Sequence, residues 1–230
     1  MKYKSVVKGA FISRPNRFIA TVSVDGNVET VHVKNTGRCK ELLVEGATVY
    51  LSVSDNSARK TKYDLIAVEK VTDRGTILIN MDSQIPNDVA VEWIRNSDLF
   101  SPDAIIRREV FYESSRFDIY VEDGNRKAFI EVKGVTLEND CIASFPDAPT
   151  ERGIKHLNEL VNARSEGYET YVLFVIQMKG VSLFTPNRER HPQFADALKY
   201  AEDNGVKILP IDCIITPDSI IPDKPVNIKL

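Results

Sequence analysis

The chain has 230 residues, 43% of them hydrophobic and 27% charged, so it can bury the core of one large domain or of two small ones. A net charge of −3 excludes a uniformly basic nucleic-acid binder. No apolar run approaches the roughly 20 residues needed to cross a bilayer. The segment Met1 to Gly9 lacks the apolar stretch of a secretion signal, so a cytoplasmic protein with no membrane partner is expected. Cys39, Cys141 and Cys213 are odd in number, far apart and without metal-knuckle spacing, as reduced thiols would be.

Charge is unevenly placed along the chain. Residues 1–64 hold 11 Lys/Arg against 6 Asp/Glu, or +5, and the remainder holds 19 against 27, or −8. A basic first part suits a polyanion and an acidic remainder suits cations.

The first 80 residues read as short strands between polar turns. They begin at Ala10–Ile12 and continue through Phe18–Val24, an Asp25-Gly26-Asn27 turn, Val28–Val33, Thr48–Val53, Tyr63–Val71 and Thr76–Ile79. Arg38–Leu43 reads as one short helical turn. The count fits a five-stranded oligonucleotide-binding (OB) barrel, although spacing alone does not separate it from other small barrels. From Asp82 to Asn96 the period changes to that of a linking helix, with Pro86 in its first turn and Pro102 breaking the joint that follows.

Beyond the joint the pattern is mixed. Arg107–Tyr112, Phe117–Val121 and Ala128–Val132 read as strands, and Thr150 opens a helix that runs to about Glu166. Thr170–Ile176 is a continuous apolar run, as a doubly covered strand is. A helix at Pro192–Asn204 and a strand at Val206–Ile211 follow. This alternation predicts a mixed α/β sheet with a parallel portion. The expected division is 1–82 for the barrel, 83–103 for the link and 104–230 for the α/β domain.

The chemistry concentrates on one hairpin. Asp118 and Glu131 can meet across two strands, and Lys133, two residues on, shares the face of Glu131. Two carboxylates with waters and substrate phosphates suit Mg²⁺ or Mn²⁺, and the carbonyl of Val132 is a further oxygen. Lys133 then orients the water, stabilises the oxyanion or acts as base. Glu109 on the preceding strand is a third carboxylate, and Gln177 at the end of the apolar strand is a polar support. Acids and lysines alternating on a hairpin are more often solvated pairs, so the pattern alone is weak. The surrounding apolar residues Phe129-Ile130 and Val135 place these charges where a strand leaves a core.

Basic residues of the first part cluster at Arg14/Arg17, Lys34/Arg38/Lys40 and Arg59/Lys60/Lys62, interleaved with Asn16, Asn35 and aromatics, as in a single-strand-binding barrel. Phe18 is assigned to the core. Arg152, Lys155 and His156 lie near a helix start, which suits phosphate, and His156 reads as a structural histidine rather than a metal ligand. No P-loop, Gly-x-Gly-x-x-Gly or nucleophile elbow is present.

Assembled, these segments resemble the sugar fermentation stimulation protein (SfsA) family. The matching stretches include Phe11–Phe18, Asn35–Arg38, Leu78–Asn80, Arg116–Asp118, Glu131–Lys133, Phe145–Leu157, Phe174–Gln177 and Thr216–Asp218, and they cover nearly the whole chain. The resemblance implies an OB-type domain followed by a domain like the PD-(D/E)xK nucleases, with Phe117 standing where the motif has its proline. It implies DNA binding and a metal-dependent nuclease site at Asp118, Glu131 and Lys133; an enzyme acting on RNA at the same site is a third reading that differs only in substrate. Nucleases of this kind often pair to cut both strands, which makes a homodimer an expectation. The rival expectation is a DNA-binding regulator that keeps the scaffold without cleaving. The residues expected to contact nucleic acid are Arg14, Arg17, Lys34, Asn35, Arg38, Arg59, Lys60, Arg152 and Lys155.

Overall fold

Alternating small and branched residues build the first sheet. In the computed structural model, which describes residues 1–35, 37–56 and 58–230, the strands are β1 (Val6–Ser13), β2 (Ile19–Val24), β3 (Asn27–Val33), β4 (Thr48–Val53), β5 (Tyr63–Thr72) and β6 (Gly75–Asn80). On β2, Ala20, Val22 and Val24 point into the core while Thr21 and Ser23 alternate away from it. Asp25 and Gly26 both take positive φ, which matches the tight turn joining β2 to β3. The strand order is β3-β2-β1-β4-β5-β6, and a parallel pairing of His32 with Asp64 and Val33 with Leu65 joins β3 to β5. That pairing closes a five-stranded OB barrel. Closure brings backbones close together: a Cβ on Gly9 would lie 2.5 Å from Val22 Cγ1, so only glycine fits there.

The rest of the chain forms α1 (Pro86–Asn96), β7 (Ile105–Tyr112), β8 (Ser115–Asp123), β9 (Arg126–Val135), β10 (Leu137–Asn139), β11 (Ile142–Phe145), α2 (Glu151–Ser165), β12 (Glu169–Ile176), β13 (Leu183–Pro186), α3 (Pro192–Asp203), β14 (Lys207–Thr216), β15 (Ser219–Pro225) and β16 (Asn227–Ile228). The main sheet runs β15-β14-β12-β9-β8-β7. Strands β7, β8 and β9 are antiparallel, and β9, β12 and β14 are parallel. The residues Thr170–Ile176 of β12 are all buried, which explains its unbroken apolar run. A second sheet, β10-β11-β13-β16, was not foreseen from the sequence. The Thr150 hydroxyl caps α2 by accepting the Gly153 N–H at 3.0 Å.

The chain divides into two compact units. The first holds Met1–Ile85 together with Gln177–Gly180 and Cys213–Ile221, and the second holds the remainder. The helix read as a link packs within the second unit, against β8, β9 and β12. Among the described residues no helix is long and apolar enough to cross a membrane.

Phe18 requires a correction. Alternation puts it on the inward face of Ala20 and Val22, yet its side chain is 53% exposed. The reason is local: Asn16 Oδ1 accepts the N–H groups of Phe18 and Ile19 at 2.9 and 3.0 Å, so the strand begins only at Ile19.

Candidate functional site

The ladder between β8 and β9 ends at Ile119 opposite Ile130, and the next step places Asp118 opposite Glu131. There a side chain takes over from the backbone: Asp118 Oδ2 accepts the Val132 N–H at 2.8 Å. Asp118 Oδ1 accepts from Asn87 Nδ2 on α1 at 3.1 Å. Both carboxylate oxygens are thereby aimed, and the side chain is held from two elements.

Glu131 is almost completely buried. Its Oε1 receives Lys133 Nζ at 2.5 Å and also meets Nδ1 of His156, which descends from α2. Its Oε2 is buried and has no hydrogen-bond partner among the described residues. The far nitrogen of the His156 ring faces Arg152 Nε at 3.3 Å, and Phe117 meets the ring edge-on. Burial pushes the Glu131 carboxyl up, but the His156 hydrogen bond and the Lys133 charge outweigh it and hold it below the usual carboxylate range. Asp118 is shifted the opposite way. Burial comes first and the charge on Glu131 second, and together they hold its carboxyl above the usual range.

The two carboxylates thus repel one another across the strands, while a buried oxygen of one lacks a partner. A hard cation relieves both penalties, so the residues present fit Mg²⁺ or Mn²⁺ bound by few protein oxygens and completed by water and phosphate. Among the described residues no group of three or more His, Cys, Asp and Glu side chains is arranged to hold a metal.

The remaining expected residues are placed as follows. Glu109 is on the edge strand β7, opposite Asp118 by register, with φ +55° and its exposed side chain 3.5 Å from Arg116. Gln177 is buried in the first unit, where its amide donates to Asn80 Oδ1 at 3.1 Å and to the Asp82 carbonyl at 3.0 Å. Arg14 is spent on four backbone carbonyls, those of Arg17, Asn35, Gly37 and Arg38, at 2.7–2.8 Å. Lys34 pairs with the fully buried Asp82 at 2.6 Å, Arg59 grips Asp64 with two nitrogens, and the Asn35 side chain bonds Met81 O and the Gly37 N–H. Lys155 lies 3.7 Å from Glu159, and Arg152 is committed to His156. Arg17, Arg38 and Lys60 stay exposed. Thr36, within the Asn35–Arg38 stretch, lies outside the described residues.

Asn87 and the Glu131-directed role of His156 were missed from the sequence. For His156 the signal was present, because a helix that starts with Thr150 and Gly153 carries position 156 on the face of Leu160 and Ala163, toward the sheet. Asn87 gave no signal beyond its place in the first turn of a helix.

Two family models match the chain. The SfsA N-terminal OB domain matches residues 12–79, and the sugar fermentation stimulation protein RE domain matches residues 84–219. The chain belongs to the SfsA family. SfsA relatives of the same length include the sugar fermentation stimulation protein homologs of Clostridium beijerinckii, 57% identical over 220 residues and 96% of each chain, and of Desulfitobacterium hafniense strain Y51, 55% identical over 230 residues, which are 100% of this chain and 99% of that one. The structure of Pyrococcus furiosus SfsA in complex with Ca²⁺ superposes with a TM-score of 0.85 at 27% identity, covering 100% of this chain and 98% of that one.

Proposed function

We propose that the protein binds DNA and hydrolyses its phosphodiester bonds with the help of Mg²⁺ or Mn²⁺. The observation that carries this reading is the pair Asp118 and Glu131, facing each other with a buried, unpartnered Glu131 Oε2 and with Lys133 at the other oxygen. The Pyrococcus furiosus relative with the same fold takes Ca²⁺, a hard cation of the same charge. A metal held by Asp118, Glu131 and the Val132 carbonyl would draw charge from the phosphoryl oxygens and sharpen an attacking water.

The chain's own residues supply orientation. Asn87 and the Val132 N–H fix Asp118, and His156 fixes Glu131. Lys133 presents a cation for the charge that builds as water adds to phosphorus. One P–O ester bond then breaks, and the leaving oxygen takes up a proton. The barrel supplies affinity for the polyanion through its exposed basic residues.

A second reading is a non-cleaving DNA-binding regulator. It is favoured by the engagement of Glu131 Oε1, which accepts from Lys133 and meets His156 Nδ1. The variants Asp118→Asn and Lys133→Ala separate the two. Under the nuclease reading both reduce magnesium-dependent DNA cleavage to background while DNA affinity stays within about twofold. Asp118→Asn keeps the size of the side chain and an acceptor for the Val132 N–H, so loss of cleavage is not loss of fold. Unchanged cleavage in both variants assigns the activity to a contaminant, and salt-dependent binding with no cleavage by the wild type favours the regulator.

A further inference from the structure

The barrel presents two clefts on either side of one loop, and their charges differ. The first, of about 430 Å³, is lined by Arg17, Arg38 and Lys40 over a floor of Phe11 and Leu43. No carboxylate lines it. Arg17, Arg38 and Lys40 are exposed and have no ion-pair or hydrogen-bond partner for their side chains among the described residues. The second cleft, of about 450 Å³, is lined by Phe18, His32, Lys34 and Arg59, but its cations are neutralised: Arg59 by Asp64, which also hydrogen-bonds His32, and Lys34 by Asp82.

The loop between them is rigidly held. Arg14 ties residues 17, 35, 37 and 38 together through their carbonyls, and Asn16 fixes the N–H groups of Phe18 and Ile19. The Phe18 carbonyl accepts the Val33 N–H at 2.8 Å, which anchors the residue to β3. The result is an aromatic ring half open to solvent on a fixed backbone, beside a residue whose guanidinium is free.

We propose that this loop is a recognition site for an unpaired nucleic-acid strand, with a base stacked on Phe18 and the adjoining phosphates held by Arg17, Arg38 and Lys40. A ring beside exposed cations without partners is what stacking plus backbone neutralisation requires. In a duplex the base faces are already stacked on one another, so only the cations would find a partner. The inference rests on the nucleic-acid-binding part of the proposed function, and it names the substrate class as single-stranded.

The test is fluorescence anisotropy of the full chain in EDTA, with an oligothymidylate of about 16 nucleotides, the upper site size of one OB fold, and with a duplex of equal length. Phe18→Ala should weaken the single strand between about 5-fold and about 100-fold and leave the duplex within about twofold. Phe18→Trp should restore the single-strand affinity. Arg17→Ala and Lys40→Ala should each lower the slope of log affinity against log salt by about 0.7 for the single strand. Equal losses on both ligands, or no loss in Phe18→Ala, would overturn the inference while leaving DNA binding intact. Absence of binding to either ligand by the wild type would overturn it together with the DNA-binding reading.

Discussion

The barrel and the mixed-sheet unit hold their polar groups in opposite ways. In the barrel cleft Arg17, Arg38 and Lys40 are exposed and have no side-chain partner among the described residues. In the mixed-sheet site Lys133 and His156 share one oxygen of the buried Glu131 and hold its carboxyl down, while the Glu131 charge, after burial, holds the Asp118 carboxyl up. Independent exposed charges give affinity that declines stepwise as each is removed. Coupled buried charges give chemistry that is lost when any one is removed, because each residue fixes its neighbour. Under the proposed function, the difference means that binding and catalysis should separate by mutation in this chain.

The sharpest way to break that separation is His156→Ala, after the Asp118 and Lys133 variants themselves. Glu131 loses the partner that orients it, and turnover should fall by about 10- to 100-fold, as when the support of a ligating carboxylate is removed. DNA affinity measured in EDTA should stay within about twofold. A parallel loss of affinity would show that the buried cluster also binds, and the comparison would fail.

Arg14→Ala probes the other side with a smaller effect. Four carbonyls lose their common donor, and the Phe18 loop loses its fixed geometry. Single-strand affinity should weaken by about 3- to 10-fold through lost preorganisation, with turnover at saturating DNA unchanged. Anisotropy and single-turnover cleavage on the same preparation read both quantities.

The smallest effect belongs to Glu169→Gln, a control within the mixed sheet. The Arg126 guanidinium, bonded through two nitrogens, holds the Glu169 carboxyl down from 4.5 to about 2, against the opposing effect of burial. Stabilisation from this pair is present above pH 4.5 and lost as pH falls through about 2. Thermal melts should show the variant lower at neutral pH by about 2–4 °C, for a contribution of at most about 1 kcal/mol. The gap should close toward pH 2, with binding and turnover untouched. A gap that widens on acidification would reverse the assigned direction.

Much of this was legible in the sequence for physical reasons. Strand β2 carried its alternation and β12 its unbroken apolar run, so both could be read directly. The strands β10, β11, β13 and β16 have two to four residues, too few for a period to register. Asp118 and Glu131 were found because a hairpin is local and its register follows from its turn. What was not legible is how side chains pair over long separations. The engagement of Lys34 with Asp82, of Gln177 with Asn80, and of Asn87 with Asp118 spans 31 to 97 residues, and no local pattern encodes it. Phe18 fails for the opposite reason: a local Asn16 turn overrides a correct alternation.

The Tyr3 N–H donates to the Asp218 carbonyl at 2.8 Å, and both residues belong to the barrel's unit. On the ribosome this contact has to wait. Synthesis proceeds at about 5–20 residues per second, so residue 218 emerges on the order of 7–27 s after residue 85. For that interval the nascent barrel is missing the edge partner of its first residues. A ribosome-stalled chain long enough for residue 85 to have cleared the exit tunnel, but ending before residue 213, should therefore be cut by protease near its N-terminus more readily than the released protein.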